Sequence, residues 1–187
     1  MQTANFHPHI LRAENTVLVV VDMQELFLRN LFERERVIRN VCMLLDGAKA
    51  LEVPVIATTQ YAERMGGVIA EVQERLGDAP ILDKVTFSCW DEPFQKEIQQ
   101  RNRKQVLLCG AEAHICVSQT AHDLLAVGYE VHVVEEAVSS RSEANANLGF
   151  AKMRQSGVIP ASIESALYEM LGRAGTPAFR AILKLIK

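Results

Sequence analysis

The stretch Thr16–Asp22, TVLVVVD, limits the possible folds more than any other part of the chain. Five aliphatic residues follow a β-branched threonine without a polar interruption. A strand with one face in water alternates apolar and polar residues. An unbroken run fits a strand covered on both faces, as in a parallel sheet between helices. Similar runs recur at Val53–Thr59, Val106–Cys109 and Glu130–Ser140, with shorter extended pieces inside Ile81–Trp90 and at VIPAS, 158–162. Helical patterns lie between them. Residues 32–50 place Val37, Ile38, Val41, Leu44, Leu45 and Ala48 on one stripe, and a short pattern ends near Gly77. A polar helix is predicted over 91–103. Others run from near Cys116 to Val127, stopping at Gly128, and over Glu143–Ser156, stopping at Gly157. Ser162 and Ser165 open another that reaches about Gly172. Thr176 and Pro177 start a last one over 176–187, with Phe179, Ile182, Leu183 and Ile186 as its apolar stripe and its own chain as the expected packing partner. This alternation predicts a right-handed three-layer α/β/α fold around a mostly parallel sheet.

The 187 residues suit a single domain, with 1–14 as an irregular surface arm and no repeat or low-complexity linker. A formal net charge of −3 without a basic patch argues against a nucleic-acid partner. No apolar run is long enough to cross a bilayer, so no membrane association is expected. The first residues show no secretory pattern. Cys42, Cys89, Cys109 and Cys116 form no CxxC pair and no zinc-like spacing with histidine, which predicts free thiols in a reducing cytoplasm. Cys42 falls in a helical pattern and Cys109 in a strand, where both serve as packing. No GxGxxG follows the first strand and no GxxxxGK[ST] occurs, which disfavours a dinucleotide site and excludes a P-loop.

Three residues carry chemistry. In QVLLCGAEAHICVSQT, Gln105–Thr120, a buried strand gives way through Gly110 to a helix, with Cys116 at the join. A thiol there sits beside unpaired N–H groups and the positive end of the helix dipole, which favour its nucleophilic thiolate. The same N–H groups suit the oxygen of an attacked carbonyl. The alternative is a small apolar filler. Asp22 closes the first strand, where ligands of open parallel sheets bind, although an aspartate there also serves as a helix cap. Lys84 follows a middle strand among Val85, Phe87 and Trp90. An amine in such surroundings requires a carboxylate partner unless it snorkels to solvent. A parallel sheet brings all three to one edge, and three complementary chemistries at one edge favour a site over three separate structural roles.

The stretches LVVVDMQELF, DKVTFSCW, GAEAHICVSQTAHDLLAVGYEVHVVEEAVSSR and MRQSGVIPASIESALYEML resemble the isochorismatase-like cysteine hydrolases, over about Thr16–Leu171. The resemblance implies a six-stranded parallel sheet, frequent homo-oligomers, and Asp22, Lys84 and Cys116 as the catalytic triad. It also implies a non-proline cis peptide just before the nucleophile segment, which maps to Ala111–Glu112. The N–H groups of Glu112 and Cys116 would then form an oxyanion hole. The implied reaction is attack of Cys116 on an amide, ureide or related carbonyl of a small molecule, through a thioester.

One departure matters. Nicotinamidases of this superfamily carry an Asp/His metal cluster after the second strand. Here that region reads TTQYAERMGG, without histidine, so no metal or other cofactor is expected. Among the five histidines, His114 either touches substrate or fills its turn, and His122 and His132 are expected to be structural. Gln24, Phe27, Tyr61, Phe87 and Trp90 flank the three site positions and are candidates for a pocket lining, with core packing as the alternative. Two other functions fit the same residues. One is cleavage of a vinyl ether, as in isochorismatase proper. The other is a thiol sensor or oligomeric binding module without catalysis.

Overall fold

The computed structural model describes His7 and residues 9–187. Residues 1–6 and 8, most of the first half of the expected arm, lie outside the described residues. The rest of the arm is tied down. Leu11 is fully buried, its N–H donates to Glu169, and the Arg12 N–H donates to the Gln105 side chain.

Six strands form one all-parallel sheet: β1 Thr16–Val21, β2 Val55–Gln60, β3 Ile81–Lys84, β4 Gln105–Ala111, β5 Glu130–Ser139 and β6 Ile159–Ala161, in the order β3-β2-β1-β4-β5-β6. Every residue of β1 and β4 is buried, as their unbroken apolar runs require. Between the strands lie α1 Glu25–Leu28, α2 Arg34–Ala50, α3 Ala62–Met65, α4 Ala70–Leu76, α5 Glu92–Gln100, a π-helical turn Ala113–Val117 that runs into α6 Ser118–Ala126, α7 Glu143–Gln155, α8 Ile163–Leu171 and α9 Pro177–Leu185. Helices cover both sides of the sheet. α2 gathers α4, α8 and α9 against it, while α6 and α7 pack on each other and on the π turn. α9 does pack on its own chain, and Ile182 of its stripe is fully buried.

The helix starts have local causes. Asp91, Ser142, Ser162 and Thr176 each accept a backbone N–H three residues on, and Ser162 with Ser165 forms a reciprocal capping box. Two details differ from the sequence reading. β3 is an edge strand, so Lys84 stands at the border of the sheet rather than after a middle strand. β4 runs two residues beyond Cys109, through Gly110 to Ala111.

Gly110 makes that extension possible. Its φ is +115°, and a Cβ on it would lie 2.1 Å from the Val21 carbonyl oxygen of β1. Only glycine fits there. Just before this point β5 bulges, its pairing jumping from Leu108–Val133 to Gly110–Val138. The excursion carries the end of β5 up beside Ala111. The sheet order turns over between β1 and β4, and ligands of open α/β sheets bind beyond the carboxyl ends of the strands at such a point.

Candidate active site

Asp22 leaves β1 in the left-handed region, φ 48°, a conformation that aspartate tolerates better than most residues. This turns its carboxylate toward the end of the sheet, where it is 1% exposed. Lys84, the last residue of β3, reaches over β2 to meet it, with Nζ 2.8 Å from Asp22 Oδ2. The ammonium also donates to Gln60 Oε1 at 2.7 Å and to the Phe87 and Thr86 carbonyls at 3.1 and 3.3 Å. Burial alone would lower the Lys84 pKa. Burial is the largest single influence, but the charges of Asp22, Cys89 and Cys116 and the hydrogen bond to Asp22 together outweigh it, and the net shift is upward, which favours the ammonium. The other carboxylate oxygen, Oδ1, accepts the Thr58 hydroxyl at 2.7 Å. With its proton committed to Asp22, Thr58 is left to accept from the Cys89 thiol, 3.7 Å away. Cys89 is sealed in, and burial pushes its thiol up to about 11.

Cys116 faces this pair from the π turn. The helix begins at Ala113, so the thiol stands on its fourth residue rather than its first. The Glu112 carbonyl accepts from both Ile115 and Val117, at 3.1 and 3.3 Å, and closes the turn. The expected dipole effect does not prevail. Burial pushes the Cys116 pKa well above the ordinary thiol range, and the charge of Asp22 and hydrogen bonding to it add to the rise, while Lys84 opposes. Cys116 therefore rests as a neutral thiol beside a carboxylate. The Ala111–Glu112 peptide is cis. Gly149 of α7 sets the depth of the turn, because a Cβ there would lie 2.7 Å from the Ala113 carbonyl oxygen and 2.9 Å from the His114 nitrogen.

Asp22 and Cys116 lie on the wall of a cavity of about 320 Å³, with Lys84 hydrogen-bonded to Asp22 beneath it. Its apolar lining comes from Phe27, Tyr61, Met65, Val85, Phe87, Ala111 and Ile115, and Gln60, Glu112 and Arg141 complete it. A larger groove, about 490 Å³, lies between α2, α4 and α9, but holds none of the three residues and is bordered by charged side chains such as Arg34, Asp46 and Arg75. Its size does not make it the better candidate, since it lacks a convergent reactive group. Glu112 and Arg141 close one side of the smaller cavity. The guanidinium binds the carboxylate through Nε at 3.0 Å and Nη2 at 2.7 Å, and the Arg141 N–H adds a bond at 2.9 Å. Burial would raise the Glu112 pKa, yet these bonds hold it below the usual carboxylate range.

Of the pocket residues expected from sequence, Phe27, Tyr61 and Phe87 line the cavity, and Gln24, Trp90 and His114 do not. Gln24 is fully buried. Its amide donates to the Gln60 and Gly66 carbonyls and accepts the Gln60 N–H, so it staples β2 to the segment after β1. Trp90 turns away and packs edge-to-face on Phe94 and Tyr129. His114 fills its turn, with Nδ1 2.9 Å from the Ser140 hydroxyl. Gln60 and Arg141 were missed, although both follow the strand-end rule that singled out Asp22: Gln60 closes β2 and Arg141 stands two residues past β5. Among the described residues, no three His, Cys, Asp or Glu side chains cluster as metal ligands, and no helix is long and apolar enough to cross a membrane.

Known proteins share both the sequence and the architecture. A secreted isochorismatase effector, Isc1 of Phytophthora sojae, is 42% identical over 178 residues, covering 92% of this chain and 85% of its own. The solved structure of the MAR1 ribonuclease of Caenorhabditis elegans superposes with a TM-score of 0.90 at 36% identity, covering 94% of this chain and 91% of that one. YcaC of Escherichia coli, described as an octameric hydrolase of unknown specificity, has the same fold with a TM-score of 0.87 at 22% identity, covering 94% and 89%. The isochorismatase domain itself matches residues 16–165, a span that runs from the first residue of β1, through all six strands, to the capping box of α8. With that span and a relative this similar, the chain belongs to the isochorismatase family of hydrolases.

Proposed function

We propose that the chain is a cysteine-dependent hydrolase of a small amide, ureide or related carbonyl compound, acting through a thioester. The observation that carries this reading is the buried Asp22–Lys84 ion pair facing the Cys116 thiol on the wall of a cavity. Asp22 takes the thiol proton as the Cys116 Sγ–C bond forms, and the carbonyl π electrons move onto oxygen. The backbone N–H groups of Glu112 and Cys116 receive that oxygen. The tetrahedral species collapses, the C–N bond breaks, and Asp22 returns the proton to the departing nitrogen. Water, deprotonated by Asp22, then attacks the thioester, and the acid product and thiol are released. Lys84 keeps the carboxyl group oriented throughout and favours its ionised form before each proton transfer.

Cleavage of an enol ether is the second reading, favoured by the name of the relative from Phytophthora sojae. A parallel screen of small amides, ureides and enol ethers against the wild type and Cys116→Ala tests both. Turnover of an amide or ureide that the variant loses supports the thioester route. Hydrolysis undiminished in the variant refutes it, and undiminished cleavage of an enol ether alone selects the second reading. The four cysteines stand free, which suits a reducing compartment such as the cytoplasm, and the octameric YcaC suits an oligomer of this chain.

A further inference from the structure

We propose that the Glu112–Arg141 pair sets the charge selectivity of the cavity, which accepts small uncharged substrates with an apolar body and turns carboxylates away. This rests on the reading of Cys116 as the nucleophile. The argument is a count of charges. The lining holds two carboxylates, Asp22 and Glu112, and one guanidinium, Arg141, with the Lys84 ammonium beneath. Both cations are engaged. Lys84 has four acceptors within hydrogen-bond reach for three N–H bonds. Arg141, its side chain 58% exposed, is held side-on by both oxygens of Glu112 through Nε and Nη2. The four formal charges sum to zero, and the remaining wall is largely apolar.

A carboxylate entering this space sheds water against Phe27, Met65, Phe87 and Ile115 and meets no cation whose charge is not already matched by a carboxylate. A buried ion without a partner is costly, whereas an amide of the same size loses much less and keeps its reactive carbonyl. Isochorismate carries two carboxylates, so the cavity disfavours the substrate that gives the family its name. Glu112 is the residue that decides this. Without its charge, the fork of Arg141 is free to receive a carboxylate bidentately.

Iodoacetamide and iodoacetate provide the test, since they differ in charge but little in size. Each alkylates Cys116 by forming an Sγ–C bond and expelling iodide, while the thiol proton passes to Asp22. Labelling of Cys116 is followed by peptide mass spectrometry, and the amide-to-acid rate ratio is divided by that of glutathione. The wild type is expected to exceed the glutathione ratio by roughly tenfold or more, as an unpaired charge in an apolar site requires. Glu112→Gln is expected to bring the ratio down roughly tenfold by releasing Arg141, and Arg141→Met to leave it high. A mere loss of packing would slow both reagents together. A wild-type ratio equal to that of glutathione, or a ratio unmoved by Glu112→Gln, overturns this inference alone. No labelling of Cys116 by either reagent overturns it together with the nucleophile reading.

Discussion

Glycine in the middle of a helix is destabilising, yet Gly149 occupies the seventh residue of α7. Replacing it with alanine separates the nucleophile's position from the stability of the fold. The new Cβ would stand 2.7, 2.8 and 2.9 Å from the Ala113 oxygen, the Ala113 carbon and the His114 nitrogen. All three are backbone atoms, so no side chain can swing aside. An ordinary contact needs roughly 3.5–4 Å, and α7 and the π turn must therefore part by about 1 Å. Overpacking of this kind costs about 1–3 kcal/mol, while alanine returns about 1 kcal/mol of helix propensity, so the net loss of stability is about 0–2 kcal/mol. The effect on chemistry is larger. Cys116 lies two residues beyond His114 on the displaced turn, and a shift of about 1 Å in a reacting group costs up to about a hundredfold in rate. Gly149→Ala is therefore expected to unfold within a few degrees of the wild type while Cys116 alkylation and amide turnover fall by about ten- to a hundredfold. Thermal unfolding and labelling rates on the same preparation decide it. A variant that labels and turns over within twofold of the wild type would show that α7 does not fix the turn.

Three further perturbations follow from the same contacts. Thr58→Val removes the hydroxyl bond to Asp22 Oδ1 and is expected to lower kcat by about tenfold or more with KM nearly unchanged, with Thr58→Ser restoring most of it; a change confined to KM would refute the assignment. Lys84→Met strands the Asp22 charge and is expected to cost about 3–5 kcal/mol in denaturant unfolding, whereas Asp22→Asn with Lys84→Met recovers most of that stability without activity; a double variant no more stable than the single one would contradict it. His132 of β5 is buried, with Nε2 unpartnered, and burial followed by the charge of His9 lowers its pKa to about 4. The unfolded chain then binds the extra proton between about pH 6.5 and 4, so stability falls as pH drops through that window, by about 3 kcal/mol in full. His132→Leu is expected to flatten that stretch of the stability curve, and an unchanged slope by urea titration would count against it.

The parallel sheet was legible because burial on both faces leaves a strand no reason to alternate, and TVLVVV and VLLC say so directly. Asp22, Lys84 and Cys116 could be placed at one edge because parallel strands all end on the same side. Sequence could not show that β3 is the outermost strand, since order within a sheet depends on which crossover folds over which face. Nor could it separate pocket from core among aromatic residues. Trp90 and Phe87 stand three positions apart, yet one packs on Tyr129 and the other lines the cavity, a choice made by a loop path with no periodicity. The burial of Cys116 was hidden for a related reason. A local motif reveals a helix start, but the burial that outweighs it comes from distant elements.

That burial suits the proposed route. Before reaction the buried groups carry Asp22⁻, Lys84⁺ and a neutral thiol, which sum to zero. Attack moves the thiol proton to Asp22 and places a negative charge on the carbonyl oxygen, and the sum is still zero. No net charge is created inside an apolar cavity at any point. A preformed thiolate would instead have placed a second anion beside Asp22 against a single ammonium, which burial penalises strongly. On the proposed route the raised thiol pKa and the Asp22–Lys84 pair are two sides of one arrangement: Lys84 would hold the carboxylate ready as a base, and burial would delay ionisation of sulfur until a carbonyl is present to take up the charge. Lys84→Met removes the fixed positive charge from both sums, so its loss of turnover should exceed what its loss of stability accounts for, even at temperatures where the variant is fully folded.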